Sequence, residues 1–294
     1  MLVYRGQFPR GEIDLHDSIS SSIEYPLAYG YANAGRVIEI GNQVGEDWIG
    51  HLVFGFQPHS THYVSDINQL MIVPDNISAE QASLLPFAET AINLIQDAQP
   101  LLGEKVLILG QGTIGLMAAA LMSMFPLKLI LTTDCYPIRR EASLKLSERV
   151  KSSLDPLDPD FMKQAKTILQ DGADLSLELS GNPSALNDAL ALTAFSGRIV
   201  IGSWYGEKKG HIELGGSFHR SRIKLISSQV SSIAPELSGR WDKSRRFDLA
   251  WDLLDKIKPE RWITHRFSQE NAQQAFKLIH EKPDQTIQTI LTYE

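Results

Sequence analysis

Lys105-Val106-Leu107-Ile108-Leu109-Gly110-Gln111-Gly112-Thr113-Ile114-Gly115 is the stretch on which the reading of this chain turns. Its first five residues, four of them aliphatic, describe a short strand buried on both faces. G-x-G-x-x-G follows, and the apolar run over 116–122 then continues as a helix. A dinucleotide site needs this order. Gly110 allows the tight turn out of the strand, Gly112 lets the backbone approach a pyrophosphate, and Gly115 lets the helix pack closely on the strand. The first turn of the helix, from Thr113 and Ile114, offers unpaired N–H groups and the positive end of its dipole to the phosphates. A glycine-rich turn in some other α/β domain is the alternative, and the flanking strand and helix argue against it.

A second strand over 128–134 ends in Asp134, nineteen residues after Gly115. That is close to the spacing of about 20 residues expected for the carboxylate that accepts hydrogen bonds from an adenosine ribose. A carboxylate there repels a 2′-phosphate, so NAD(H) is the preferred cofactor. Arg139 and Arg140 follow closely, and two cations can soften that preference towards NADP(H). Helical and strand-like stretches then alternate through 142–146, 163–169, 173–181, 183–192 and 197–206. This rhythm gives an α/β fold, a doubly wound parallel sheet with helices on both faces.

The flanking parts read differently. Residues before about 84 carry short apolar runs broken by Gly, Pro, Asn and Asp. Strands are expected over 34–42, 49–56, 62–64 and 69–74, followed by a helix with Ser78 as N-cap and Gln81 completing a capping box. The segment after 231 offers a long amphipathic helix over 241–257, a short extended piece over 264–268, a helix over 271–279 and a strand over 285–292. The domain organisation expected is a β-rich unit over 1–85, the dinucleotide unit over 86–230, and a segment over 231–294 that returns to the first.

The chain has 294 residues, 43% hydrophobic and 21% charged, with a net charge of −7. That balance leaves no electrostatic footprint for nucleic acid or an anionic membrane surface. No uninterrupted apolar run approaches the ~18–20 residues of a membrane span. Residues 1–6 lack the n-region and h-region of a signal peptide, so a cytoplasmic enzyme is expected. A single cysteine, Cys135, allows neither an internal disulfide nor a cluster of cysteine metal ligands. His51, His59 and His62 fall within twelve residues, with His59 and His62 as H-x-x-H. They read either as polar loop residues or as acid–base and substrate-contacting groups, since imidazole titrates near neutral pH. The basic run Arg220, Arg222, Lys224 is either a solvated loop or a face for an acidic group.

Tyr25-Pro26-Leu27-Ala28-Tyr29-Gly30-Tyr31-Ala32-Asn33-Ala34-Gly35-Arg36-Val37 resembles the segment of the medium-chain dehydrogenases/reductases written P-x-x-x-G-H-E-x-x-G-x-V. The approach through 70–74 and 82–86, the fingerprint, Ala173-Asp174-Leu175-Ser176-Leu177-Glu178-Leu179-Ser180-Gly181 (the family's G-A-D-V-V-x-E-x-S/T-G) and Ala275-Phe276 extend the resemblance over nearly the whole chain. It implies a Rossmann domain joined to a GroES-like β-rich catalytic domain. It also implies that Ser180, Gly181, Gly202 and Ser203 meet the cofactor, with Arg139 over the adenine. The helix start at Glu89 and Thr90 then lies beside the nicotinamide, although Glu89 also reads as a solvated first-turn carboxylate. Two departures stand out. The family's G-H-E is Gly30-Tyr31-Ala32 here, which removes two zinc ligands and points to a zinc-independent branch. The family's first strands also have no counterpart before Met1, so the catalytic unit is expected to be incomplete at its N-terminus.

The sequence therefore describes an NAD(P)-dependent oxidoreductase that passes a hydride between NAD(H) and a small-molecule alcohol or carbonyl substrate without zinc, and a homodimer is compatible with it. Its candidate catalytic residues are Tyr31, His59, His62, Glu89 and Thr90. The alternatives are an NADPH-dependent quinone or enone reductase and an inactive dinucleotide-binding remnant.

Overall fold

The computed structural model describes residues 4–7 and 28–293, so Tyr25-Pro26-Leu27 of the family-like segment lie outside the described residues. Strands β1 (Asn33–Arg36), β2 (Leu52–Gly55) and β3 (Leu70–Ile72) form an antiparallel sheet in the order β1-β2-β3. The strand expected over 34–42 stops at Arg36. Beyond it Val37 bonds to a loop, donating to the His51 carbonyl at 3.0 Å and accepting from the Gly50 N–H at 2.9 Å. Residues 62–64 form no strand. Helix α1 (Ala79–Ala82) carries the expected capping box: the Gln81 N–H donates to Ser78 Oγ at 3.2 Å, and the Ser78 N–H donates to Gln81 Oε1 at 2.9 Å. Helix α2 (Leu85–Ala98) follows with Pro86 in its first turn, where a missing N–H costs nothing.

The chain then alternates strand and helix: β4 (Lys105–Leu109), α3 (Thr113–Met122), β5 (Leu129–Thr133), α4 (Pro137–Leu144), β6 (Val150–Leu154), α5 (Phe161–Leu169), β7 (Ala173–Glu178), α6 (Ala185–Leu192), β8 (Thr193–Ile201) and β9 (Lys224–Ser227). All neighbours pair in parallel, in the order β6-β5-β4-β7-β8-β9. Counted from β4, that is the 3-2-1-4-5-6 order of a dinucleotide-binding sheet. Strand β4 lies at the centre and shows why its sequence is almost uniformly aliphatic. Val106 and Ile108 pack with Leu94, Ala118 and Met122 on one face, while Leu107 and Leu109 pack with Phe161, Leu186 and Leu190 on the other.

Helix α7 (Lys243–Ile257) packs on α2, and a third core of Phe54, Leu84, Leu85, Trp251, Leu254 and Trp262 joins the antiparallel sheet to both helices. Strand β10 (Ile263–Ser268), helix α8 (Ala272–Glu281) and strand β11 (Gln288–Thr292) complete the fold, with β10 and β11 paired in parallel. Residues of the antiparallel sheet, the loop over 59–65, helix α8 and strand β11 line a cleft of about 1250 Å³. No helix among the described residues is long and apolar enough to cross a membrane.

Candidate active site

The turn after β4 is built as its sequence implies. Gly110 sits at φ +90°, and a Cβ there would lie 2.6 Å from the Leu179 carbonyl oxygen and from Ser180 Cα. A side chain at Gly115 would overlap the Gly110 carbonyl oxygen, so this glycine lets α3 press against the turn. Gly112 differs from both. It caps α3 in ordinary extended conformation, φ −67° and ψ −175°, and a Cβ there would meet nothing within 4 Å. The space it leaves lies in front of the first-turn N–H groups of Thr113, Ile114 and their neighbours, which have no partner inside the helix. An anion is the ligand such a position favours.

Asp134 follows β5 and is nearly buried. Its carboxylate accepts from the Gln111 N–H at 2.7 Å and from the Tyr136 N–H at 2.9 Å, so it locks the glycine turn to the end of β5. A carboxylate offers about four acceptor sites, so two remain for the hydroxyls of a ribose. Arg139 is not free to lie over an adenine. Its guanidinium donates to the Thr286 carbonyl at 3.0 and 3.1 Å and to the Pro283 carbonyl at 3.3 Å, and stands 3.9 Å from Asp134. It also lies over the Tyr136 ring at 4.8 Å. Arg140 is committed too, to the Asp134 carbonyl at 2.8 Å and to Asp155 at 3.1 Å.

Ser180, Gly181, Gly202 and Ser203 come together at the carboxyl edge of β7 and β8. The Gly181 N–H donates to Ser203 Oγ at 2.9 Å, and the Gly202 N–H to the Glu178 carbonyl at 3.1 Å. Behind them stands Glu178, which is fully buried. Its carboxylate accepts from the Ser180 N–H at 2.8 Å, the Ser180 hydroxyl, and the Tyr205 hydroxyl at 2.5 Å. Burial first, and then Glu178, push the Tyr205 hydroxyl far above the ordinary tyrosine range. Tyr205 carries no motif signal, but Glu178 stands in the E-x-S-G run and could have been singled out from it. Gln288 was also not foreseen: its Oε1 accepts from the Thr113 hydroxyl at 2.8 Å, which brings β11 against the N-terminus of α3. The polar pair Gln288-Thr289 between Ile287 and Ile290 was its sole sequence signal.

The proposed catalytic residues divide. Tyr31, His59 and His62 line the large cleft, together with Tyr29 and Tyr293. The His59 ring packs on Gly30, where a Cβ would lie 2.8 Å from the imidazole, and its Nδ1 is 3.3 Å from the Tyr293 hydroxyl. Desolvation lowers the His59 pKa. Packing around the Tyr31 hydroxyl, with a contribution from Tyr29, raises its pKa. His62 is exposed.

Glu89 and Thr90 do not line this cleft. Glu89 is buried on the other face of α2, bonded to Lys243 at 2.5 Å and to Arg246 at 3.1 Å, so it is neither a solvated first-turn carboxylate nor a group facing the cleft. The Thr90 hydroxyl donates to the Pro86 carbonyl one turn back at 2.7 Å. Among the described residues no group of three or more His, Cys, Asp or Glu side chains is placed to hold a metal ion. Tyr31 and Ala32 offer no zinc-binding pair beside Gly30, and Cys135 adjoins Asp134 at the ribose end of the parallel sheet.

A parallel sheet in 3-2-1-4-5-6 order, a glycine turn open at Gly112 and a carboxylate at the end of β5 define a Rossmann-type fold. No family model matches the chain. It is 27% identical over 271 residues to D-guloside 3-dehydrogenase of Escherichia coli K12, covering 88% of this chain and 75% of that protein. It is 28% identical over 238 residues to a zinc-type alcohol dehydrogenase-like protein of the same strain, covering 78% of this chain and 63% of the relative. An alcohol dehydrogenase from E. coli CFT073, solved with NADH, superposes with a TM-score of 0.71 at 18% identity, covering 88% of this chain and 82% of that one. Over most of its length the chain is similar to members of the zinc-type alcohol dehydrogenase-like group, and its relatives with a named activity are dehydrogenases.

Proposed function

We propose that this protein is an NAD(H)-linked oxidoreductase that interconverts a small alcohol and the corresponding carbonyl compound without a catalytic zinc. The observation that carries the choice of cofactor is the disposition of charge at the end of β5. Asp134 faces the glycine turn, while both arginines that could serve a 2′-phosphate are already engaged, Arg139 by the Thr286 and Pro283 carbonyls and Arg140 by the Asp134 carbonyl and Asp155. Gly112 and the first turn of α3 hold the pyrophosphate, with Gln288 on its flank. Asp134 holds the adenosine ribose, and the backbone at Gly181, Gly202 and Ser203 faces the nicotinamide.

The bound cofactor supplies hydride acceptance and donation at the nicotinamide ring. The chain must handle the proton. His59, kept neutral near pH 7 by its lowered pKa, accepts the proton of the alcohol hydroxyl, and the Tyr293 hydroxyl at its Nδ1 orients the ring. In the reverse direction the protonated imidazole donates to the carbonyl oxygen as charge develops there. Tyr31, with its raised pKa, remains a hydroxyl donor at neutral pH and stabilises that oxygen. The absence of zinc from this reading is supported by Gly30-Tyr31-Ala32, where the family carries its ligands.

We take residues 86–230 as the cofactor unit, with 1–85 and 231–294 as the catalytic unit, the cytoplasm as its compartment and a homodimer as its assembly. Strand β9 ends the parallel sheet with one side unpaired among the described residues, as a two-fold partner requires. A fluorescence titration with NADH and NADPH tests the cofactor, with NADH expected to bind at least about tenfold more tightly. A panel of aldehydes, ketones, enones and quinones follows. Turnover confined to enones or quinones with NADPH favours the quinone-reductase alternative, and cofactor binding without any turnover favours a remnant.

A further inference from the structure

The first turn of α7 breaks a local rule. Lys243, Arg245 and Arg246 follow the N-cap Asp242, although cations at a helix N-terminus oppose its dipole. Places where a local preference is overridden are where function is expected. Arg246 is fully buried, and each part of its guanidinium is engaged. Nε donates to Glu89 at 3.2 Å, and Nη1 donates to Asn93 Oδ1 at 2.6 Å. Nη2 donates to the Val230 carbonyl at 2.6 Å, and both terminal nitrogens reach the Ser232 carbonyl at 3.4 Å. Lys243 donates to the same Val230 carbonyl at 3.0 Å.

The partners on α2 are spaced for this task. Glu89, Asn93 and Asp97 recur every four residues, which stacks them along one helix face. Asp97 accepts from the Ser228 hydroxyl at 2.6 Å, and Asn93 donates to Ser228 at 2.9 Å and to Asp97 at 3.0 Å. Two carboxylates and two cations balance, which is the condition for burying charge. Everything they grip besides one another belongs to residues 228–232. That segment leaves β9 at the carboxyl edge of the sheet, and its Ser228 N–H donates to the Ile201 carbonyl at 2.9 Å, immediately before Gly202 and Ser203.

We propose that Arg246, held by Glu89 and Asn93, is a positioning residue that fixes the backbone of 228–232 as one wall of the nicotinamide end of the cofactor cleft. This rests on the cofactor reading given above. It reassigns Glu89 from the chemistry to the support of the site. The adenosine end, built from Gly112 and Asp134 on the other half of the sheet, shares none of these contacts.

The test compares NADH with ADP-ribose, which lacks the nicotinamide, by calorimetric titration of the full chain. Arg246→Met is expected to raise the NADH dissociation constant about tenfold while leaving that of ADP-ribose within about twofold. Equal weakening of both ligands, or of neither, overturns the proposal. If Arg246→Met is too unstable to titrate, Arg246→Lys keeps the charge but not the planar fork, and the same split is expected at about threefold. A wild-type chain that binds neither ligand overturns the cofactor reading, and this inference with it.

Discussion

Two of the fingerprint glycines, Gly112 and Gly115, should respond differently to alanine, and the contrast separates ligand binding from folding. At Gly112 a methyl group meets nothing within 4 Å, and φ −67° is open to any residue. Gly112→Ala therefore leaves the unliganded fold intact, the stiffer unfolded chain and the poorer N-cap offsetting each other to within ~1 kcal/mol. The same methyl occupies the approach to the α3 N–H groups. A pyrophosphate pushed back by the width of a methyl loses those charge-assisted hydrogen bonds, each worth ~1.5–3 kcal/mol. One or two lost bonds correspond to NADH affinity falling by between about tenfold and about ten-thousandfold. At Gly115 the methyl overlaps the Gly110 carbonyl oxygen and lies 2.9 Å from its carbon, so α3 must shift whether or not ligand is present. Overpacking of this kind costs ~1–3 kcal/mol, and each kcal/mol moves the melting temperature by about 2–4 °C at domain sizes of ~150–250 residues. Thermal unfolding and NADH fluorescence on the two variants read both effects. Gly112→Ala binding NADH with unchanged affinity would refute the assignment of this turn to a pyrophosphate.

Other perturbations reach the remaining parts of the site. Asp134→Asn leaves one of the Gln111 and Tyr136 N–H groups facing an amide NH₂, so the unliganded chain should lose ~1–3 kcal/mol in urea unfolding, and NADPH should gain on NADH in titrations. His59→Gln should lower turnover by about 10²-fold with little change in NADH affinity. In the wild type, the acid limb of the rate profile should lie below the ordinary histidine value of 6.5, and a limb above it would contradict the lowered pKa. Glu104 gives a stability prediction: burial raises its pKa, but Arg198 at 2.7 and 2.8 Å and the Leu101 N–H outweigh this and hold it low. Its contribution is present above the unfolded value of about 4.3 and is lost as pH falls through the lower folded value. Arg198→Met should therefore flatten acid unfolding in that window, as followed by circular dichroism.

What could be read in advance follows the range of the forces involved. The β4–turn–α3 unit and the Ser78/Gln81 cap were legible because strand, turn and helix are specified by neighbours within a few residues. Strand β6 gave no signal. It borders the sheet and pairs with β5 alone, so Lys151 and Ser152 sit on it with only Val150 buried. The roles of Glu89 and Arg139 were not legible either. Their partners, Arg246 and Thr286, lie 157 and 147 residues further along, and no local pattern marks a guanidinium that will meet a carbonyl across the fold. Thr90 illustrates the opposite limit, since a hydroxyl bonded to its own helix is invisible in a motif that requires only its identity.

The bonds from Thr113 to Gln288 and from Arg139 to Thr286 bear on biosynthesis. All six strands of the parallel sheet lie before residue 228, so a nascent chain can assemble them early. The mouth of the pyrophosphate site, however, is walled by a segment that emerges from the ribosome some sixty residues later. A chain arrested between these points would carry a formed sheet with an unclosed cleft. On the cofactor reading proposed above, tight binding is deferred until synthesis has passed residue 288, and the ligand then stabilises only a fold in which the two separated segments have met.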